Sequence, residues 1–254
     1  MKEWKKDQLT VKQMPNRTEM GEVAAKDIHD CMVKLLSEKE EINMIFAAAP
    51  SQNDVLASLI AYEDIEWNRV NAYHMDEYIG LAEEFKSAGF ANFLNEHIFG
   101  KVAFKSVNLI DCTAQDAEAE CARYAKLLVE NPTDIVVCGI GENGHIAFND
   151  PWVADFNDPE VVKVVDLDEV CRQQQVNDGC FPSIDCVPKQ AMTLTCPTLT
   201  KAPFVFCIVP AKTKAVAVKA TLNNAINEEC PATALRRHDN AVLYLDGDSS
   251  ALLA

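Results

Sequence analysis

The feature that most constrains this fold is residues 134–151, where a short apolar segment runs into a glycine-rich loop. The segment 135–138 is unbroken apolar sequence, typical of a parallel strand covered on both faces. The loop then carries glycines followed by polar side chains, namely Gly139, Gly141, Gly144, His145, Asn149 and Asp150. In open α/β sheets, ligands bind where parallel strands end in such loops. The stretch therefore predicts a parallel sheet with a ligand site at this loop.

Further apolar segments alternate with helical patterns and predict strands at 42–49, 70–75, 107–110, 161–167, 191–195, 204–209 and 241–245. Helices are predicted to begin at Thr18 and Ser51, and to cover 115–130, 168–175 and 212–226. The first 15 residues are polar and predict an irregular arm. We therefore expect a single domain over residues 1–254 of fold class α/β, with an open, largely parallel sheet and helices on both faces.

Composition excludes several classes of function. The net charge of −16 disfavours a nucleic-acid partner, because neutralising phosphates requires clustered lysines and arginines. No apolar run approaches the roughly 18 residues of a membrane span, and the first residues lack a secretory apolar core. We therefore expect a cytoplasmic protein with no membrane partner. The ten cysteines form no CxxC pair and no Cys–His knuckle, which predicts free thiols and no metal site.

The glycines at 139–144 match the dinucleotide pattern GxGxxG. That pattern requires a helix opening at the third glycine, so that the helix N-terminus meets the pyrophosphate. Here the residues 149–151, Asn-Asp-Pro, interrupt such a helix within one or two turns, and the segment lies in mid-chain. The sequence therefore disfavours dinucleotide binding.

A second candidate site is the carboxylate pair Asp76 and Glu77, at the end of the predicted strand 70–75. A helix cap or a solvated acidic pair is the simpler interpretation. However, carboxylates and a histidine at two strand ends are the groups that proton transfer beside a carbonyl requires. Both interpretations stay open on the residues alone.

A third candidate is the strand-to-helix turn at 47–54, where Ser51 and the first helical amides form a potential phosphate site. A plain helix cap at Ser51 is the alternative. Lys212 and Lys214 follow the strand 204–209 and can supply positive charge, although isolated surface lysines would carry no function.

Two of these stretches resemble the hallmarks of one family. Residues 139–149, Gly-Ile-Gly-Glu-Asn-Gly-His-Ile-Ala-Phe-Asn, resemble the signature of the glucosamine-6-phosphate deaminases, also called isomerases. Residues 74–81, His-Met-Asp-Glu-Tyr-Ile-Gly-Leu, resemble that family's other hallmark. The separation of the two motifs and the strand–helix order also agree. The family belongs to the 6-phosphogluconolactonase-like superfamily and includes a galactosamine-6-phosphate isomerase branch.

The resemblance implies a Rossmann-like enzyme of amino-sugar catabolism that uses no metal or redox cofactor. It would convert glucosamine or galactosamine 6-phosphate, its small-molecule partner, to a ketose 6-phosphate and ammonia, a hydrolase-class reaction with ketol-isomerase chemistry. By matching positions, Asp76 is implied to move a proton between C2 and C1 of the open-chain sugar. His145 is implied to open the pyranose ring. Asn143 and Asp150 match the acidic partners of that histidine, and Lys214 matches a phosphate-contacting lysine.

The same matching implies further substrate-binding positions, namely Ala48, Ser51, Gln52, Glu77, Gly144 and Arg172. Several features depart from the family pattern. Asn143 replaces an aspartate seen in some members, and Asp150 is one methylene shorter than the usual glutamate. The phosphate-side loop is usually glycine-rich and threonine-bearing, but here it reads Ala-Ala-Pro-Ser-Gln at 48–52, and Gly179 stands where a phosphate-binding arginine is expected. Arg172 is a candidate replacement. These departures keep the reaction class and leave open the exact sugar, the phosphate contacts, any effector and a homo-oligomeric state.

Two rival functions are compatible with the fold. A 6-phosphogluconolactonase shares it, but in that family a Ser-Leu-Phe-Pro type of sequence follows Gly-His, whereas Ile-Ala-Phe-Asn follows here. A non-catalytic sugar-phosphate sensor would not need both Asp76 and His145, and the acidic chain disfavours an attached DNA-binding module. The deaminase interpretation therefore accounts for more of the residues.

Overall fold

The computed structural model describes residues 1–253, so that Ala254 of the predicted domain lies outside the described residues. The strands are β1 (Lys2–Lys6), β2 (Leu9–Gln13), β3 (Ile42–Phe46), β4 (Val70–His74), β5 (Asp76–Ile79), β6 (Ser106–Asn108), β7 (Ile135–Cys138), β8 (Val162–Asp166), β9 (Gln190–Leu194), β10 (Phe204–Val209) and β11 (Ala241–Leu245). The α-helices are α1 (Arg17–Glu38), α2 (Asn53–Leu59), α3 (Phe90–Leu94), α4 (Ala117–Glu130), α5 (Glu169–Asn177), α6 (Cys196–Thr200) and α7 (Ala215–Asn223).

The main sheet has eight strands in the order β1-β2-β11-β10-β7-β3-β4-β6. Every neighbouring pair is parallel except β1 and β2. Apolar side chains from the two sheet faces enter two separate buried clusters, which the helices cover. The predicted fold class, an open and largely parallel α/β sheet with helices on both faces, is confirmed. No helix among residues 1–253 is long and apolar enough to cross a membrane.

The prediction of an irregular arm over the first 15 residues was wrong. These residues form the antiparallel hairpin β1–β2, and β2 pairs in parallel with β11. Leu9 and Val11 are fully buried on one side of β2, which is the alternation expected of a strand. These two alternating apolar residues lie in a charged segment, and so short a pattern does not identify a strand.

A second, three-stranded antiparallel sheet in the order β5-β9-β8 was also missed. The predicted strand over 70–75 stops at His74, and the chain resumes in β5, where Asp76 lies opposite Thr193 of β9. This pairing joins residues more than a hundred positions apart, so local sequence does not reveal it. The small sheet is what carries Asp76.

Two predicted helix starts differ from the structure. Asn16 rather than Thr18 caps α1, because its side-chain oxygen accepts the Glu19 backbone N–H at 2.9 Å. Ser51 caps no helix: it lies in a 3₁₀ turn, Pro50–Gln52, and α2 begins directly after it. Because its hydroxyl is not used as a cap, Ser51 remains available to the neighbouring cavity.

Candidate active site

A cavity lies where β3, β4, β7 and β10 end, at the carboxyl edge of the main sheet. After β3, the strands β4 and β6 are added on one side of it. The strands β7, β10 and β11 are then added on its other side, so that the direction changes between β3 and β7. Such a switch of direction opens a crevice in which open α/β sheets bind ligands. The polar side chains that line it include Arg17, Ser51, Gln52, Asp76, His145 and Lys214. The structure therefore brings five predicted site residues and Arg17 to one cavity, and Ala48 also lines it.

Asp76 begins β5, directly after the turn that follows β4, and is only 8% exposed. Burial raises the pKa of its carboxyl well above the usual range, and the charge of Glu77 raises it further. A carboxylate that burial makes more basic is a better proton acceptor than one in water. The geometry therefore suits Asp76 to the role of a base in the cavity.

Glu77 does not face the cavity, contrary to the predicted substrate contact. Successive side chains of a strand point to opposite faces, so that Glu77 turns away when Asp76 turns inward. Its carboxylate accepts the backbone N–H groups of Tyr78, Phe90 and Ala91 at 3.0, 3.1 and 2.9 Å. Two of these N–H groups belong to the first turn of α3, so Glu77 serves as its cap.

His145 lines the cavity from the glycine-rich loop that follows β7, and two side chains lie behind its ring. The imidazole Nδ1 is 3.0 Å from an Asp150 carboxylate oxygen, although the ring N–H is not aimed at that oxygen. The Asn143 amide donates to the same oxygen at 2.8 Å, and its carbonyl accepts the His145 backbone N–H at 3.1 Å. Asn143 and Asp150 therefore hold His145 in place without lining the cavity themselves.

Asp150 is completely buried, yet its carboxyl is kept ionised. Burial acts to raise its pKa, but the His145 ring 3.0 Å away, the Asn143 amide and the Asp168 backbone N–H together lower the pKa below the usual value. An ionised carboxylate beside the imidazole stabilises the ring when it carries a second proton. The pair is thus suited to a histidine that gains and loses a proton.

The glycines of this loop act by allowing close approach. A Cβ atom on Gly141 would lie 2.1 Å from the His145 imidazole, so only glycine leaves room for the ring. Gly144 adopts φ +87° and its carbonyl accepts the Ala232 N–H at 2.9 Å. Gly144 does not line the cavity, so its predicted role in substrate binding is replaced by one in the turn.

Two non-glycine residues with left-handed backbone also line the cavity. Ala147 has φ +51° and Ala211 has φ +82°. Such conformations cost of order 1–3 kcal/mol and concentrate at functional sites. Both residues lie in the loops that follow β7 and β10, which supports the assignment of this cavity as the site.

Lys214 precedes α7 and lines the cavity with only 6% exposure. Burial lowers the pKa of its ammonium, which Asp178 and Glu142 partly offset. Arg172, the other predicted cation, points away from the cavity. It lies on α5, and its guanidinium donates to the carbonyls of Ile184 and Val187 at 2.6 and 3.0 Å. The prediction of Arg172 as a substrate contact is therefore wrong.

Five polar residues that line the cavity were not predicted from the sequence, namely Arg17, Gln174, Gln175, Asp178 and Thr213. Gln174 and Gln175 are 6% and 7% exposed, an unusual burial for adjacent amides on a short helix. The run of three glutamines at 173–175 was the only local signal for them. Arg17 had no local signal, because it approaches the cavity from α1.

One cluster at the site combines side chains that commonly ligate metals. His145, Asp150 and Cys171 each offer one potential ligand atom, and these three atoms lie within 4.8 Å of one another. Metals bind cysteine as the thiolate, but burial, reinforced by Asp150, Asp168 and Asp76, raises the pKa of Cys171 well above its usual value. The cluster is therefore a poor metal site, and the expected independence from metals stays a prediction.

Comparisons with known proteins agree with this geometry. The family profile described as glucosamine-6-phosphate isomerases/6-phosphogluconolactonase matches residues 15–244. A glucosamine-6-phosphate deaminase of Bacillus cereus (strain G9842) is 34% identical over 234 residues, covering 92% of this chain and 85% of that protein. One from Listeria monocytogenes serotype 4a (strain HCC23) is 34% identical over 213 residues, covering 84% and 88%.

Solved structures show the same fold. A monomeric glucosamine-6-phosphate deaminase superposes with a TM-score of 0.84 at 29% identity, over 95% of this chain and 99% of that one. The 6-phosphogluconolactonase of Thermotoga maritima superposes with a TM-score of 0.73 at 20% identity, over 93% and 98%. The second likeness concerns the fold alone. On the family match and the relatives together, this chain belongs to the family of glucosamine-6-phosphate isomerases and 6-phosphogluconolactonases.

Proposed function

We propose that this protein is a glucosamine-6-phosphate deaminase, which converts its substrate to a ketose 6-phosphate and ammonia. The observation that carries the proposal is one cavity lined by a buried carboxylate with a raised pKa, Asp76, and by the imidazole of His145. The names of the relatives at 34% identity support this substrate. They describe deaminase chemistry, so the hydrolase label and activity on galactosamine 6-phosphate stay predictions.

The first step is ring opening. His145 donates a proton to the ring oxygen and takes up the proton that the C1 hydroxyl loses, which breaks the bond between C1 and the ring oxygen and yields the open-chain aldehyde. The ionised carboxylate of Asp150 stabilises the protonated imidazole before that transfer. Asn143 keeps the carboxylate and the backbone of His145 in this arrangement.

The second step is isomerisation. Asp76 removes the proton from C2, which the adjacent aldehyde makes acidic, and returns it to C1, while the aldehyde oxygen takes a proton from the C2 ammonium group and becomes a hydroxyl. The nitrogen on C2 is then an iminium. Water adds at C2, the C2–N bond breaks, and ammonia leaves with the ketose 6-phosphate as the other product. Lys214 supplies positive charge toward the phosphate.

Ammonia release from glucosamine 6-phosphate tests this proposal directly. The same assay with galactosamine 6-phosphate measures the stereochemical preference at C4 of the sugar. Hydrolysis of 6-phosphogluconolactone tests the rival lactonase function. We expect ammonia from an amino-sugar phosphate and no hydrolysis of the lactone above its spontaneous rate. Lactone hydrolysis without ammonia release would replace the proposal by the lactonase function, for which Ile146–Asn149 gives no support.

The raised pKa of Asp76 predicts the acid limb of the pH profile. Asp76 accepts a proton only as the carboxylate, so kcat/KM should fall as pH drops through a pKa above the usual value of 3.8. Glu77→Gln removes the neighbouring charge that contributes to this shift and should move the limb to lower pH. The measurement is kcat/KM against pH for both proteins, with Asp166→Asn, a distant strand-end carboxylate, as control. If the acid limb of kcat/KM lies at the same pH in Glu77→Gln as in the unmodified protein, the assignment of that limb to Asp76 is contradicted.

A further inference from the structure

The cavity has few positive charges for a substrate that carries a phosphate dianion. Among residues 1–253, the lysine and arginine side chains that line it are Lys214 and Arg17, and the carboxylates of Asp76 and Asp178 line it as well. Phosphate sites in proteins normally combine several charged or amide donors. A single buried lysine beside two acidic groups is therefore an incomplete phosphate site.

The turn that follows β3, residues 47–52, has no cationic side chain of its own to make up this deficit. Pro50 has no N–H group, and the Gln52 N–H is already donated to the Ala49 carbonyl at 2.9 Å. Ser51 does offer a donor: its oxygen accepts the Gln52 side-chain amide at 3.0 Å, which leaves its own hydrogen for a ligand. The turn thus presents this hydroxyl but no cation, which must come from elsewhere.

Arg17 lies at this turn because two partners hold it there. It is the first residue of α1, and its Nε donates to an Asp54 carboxylate oxygen at 2.7 Å, with Nη2 in ion-pair contact with the same oxygen at 2.5 Å. Nη2 also donates to the Pro50 carbonyl at 3.0 Å. Within residues 1–253 Nη1 makes no hydrogen bond, and the side chain is 43% exposed. One edge of the guanidinium is therefore fixed to the protein and the other is free.

We propose that Arg17 is the second phosphate-binding cation of this site, which clamps the sugar phosphate together with Lys214 and Ser51. The inference rests on the proposed function for its ligand. Asp54 acts as a positioning residue that orients the guanidinium plane, so that the Nη1 edge meets the phosphate. An arginine is suited to this role because it stays charged and presents donors in a rigid fork. The N-terminus of α1 thus contributes to a site that otherwise consists of strand-end loops.

Replacing Arg17 with glutamine should raise KM for glucosamine 6-phosphate by about 10- to 100-fold, the usual effect of losing a charge-assisted hydrogen bond. The kcat should change by less than about threefold, because the reacting carbons are untouched. Inorganic phosphate, used as a competitive inhibitor, should lose affinity in the same proportion. Turnover of unphosphorylated glucosamine, if measurable at high concentration, should be equal in the two proteins.

Two control variants separate this role from a structural one. Asp54→Asn removes the partner's charge but keeps the guanidinium and an amide oxygen that still accepts its N–H and orients it, so the inhibition constant of inorganic phosphate should stay within about threefold of the unmodified protein. Arg123→Gln removes an arginine of similar exposure, 47%, that pairs with Glu120 away from the cavity. It should change neither KM nor phosphate inhibition. Thermal melting of each variant verifies folding.

The outcomes distinguish this inference from the proposed function. If Arg17→Gln releases ammonia with an unchanged KM and unchanged phosphate inhibition, Arg17 is not a phosphate ligand, while the deaminase function stands. If Asp54→Asn weakens phosphate inhibition as much as Arg17→Gln does, Arg17 acts only by holding the turn, and the inference is wrong. If the unmodified protein releases no ammonia yet phosphate binding still depends on Arg17, the anion site stands and the proposed function fails.

Discussion

Replacing Asp76 with asparagine is expected to lower kcat by about 10⁴-fold, the upper range for loss of a general base. Asparagine keeps the size and polarity of the side chain but does not accept a proton from carbon. The residue lines the cavity, so KM for glucosamine 6-phosphate should change by less than about threefold. The measurement is steady-state ammonia release together with substrate binding to the variant.

The adjacent residue provides a matched control. Glu77 is a carboxylate of similar burial, but it faces the backbone N–H groups at the start of α3. Glu77→Gln should retain kcat within about tenfold and instead lower the free energy of unfolding by about 1–3 kcal/mol, since it weakens hydrogen bonds to a charged group.

The free energy of unfolding should change in opposite directions in the two variants, falling in Glu77→Gln and rising in Asp76→Asn. The pKa of Asp76 is raised in the folded protein, so ionising it costs folding free energy once pH exceeds the unfolded pKa. Asp76→Asn removes this cost and should raise the unfolding free energy at neutral pH, with the gain vanishing below about pH 4, near the unfolded pKa of an aspartate. An Asp76→Asn protein that releases ammonia at the unmodified rate would refute the assigned base.

The sequence predicted the parts of the site that lie directly after strands of the main sheet. The loop after β7 and the residues after β4 each follow an apolar segment, and parallel strands place their carboxyl ends together. Asp76 and His145 were therefore expected to meet, and they line one cavity. That prediction required only the apolar pattern of each strand and the parallel direction of the strands.

The remaining site residues depend on contacts between distant segments. The residue types of Asp76 and Glu77 alone do not say which side chain faces the cavity, and the pairing of β5 with β9 decides it. Arg172 was a candidate replacement for the arginine that the family pattern expects at Gly179, but α5 turns it toward the carbonyls at 184 and 187. Arg17 reaches the turn at Pro50 only because Asp54 lies against the start of α1. No local pattern encodes any of these three outcomes.

Replacing His145 with glutamine is expected to lower kcat by about 10²-fold, a milder loss than for Asp76. Glutamine keeps a hydrogen-bonding side chain but does not transfer a proton to the ring oxygen. Turnover is then limited by the spontaneous opening of the sugar ring, which proceeds slowly in water without the enzyme. The measurement is the initial rate of ammonia release with freshly dissolved, ring-form substrate.

Dependence on enzyme concentration makes this prediction specific. If spontaneous opening supplies the open-chain sugar, the rate with His145→Gln should rise with enzyme concentration and then reach a plateau, whereas the unmodified protein shows a proportional rise. His238→Gln is the matched control, because that ring contacts the Ala202 carbonyl at 2.7 Å and lies outside the cavity. It should behave as the unmodified protein does. A His145→Gln rate equal to the unmodified rate on ring-form substrate would show that His145 does not open the ring, even with Asp76 confirmed as the base.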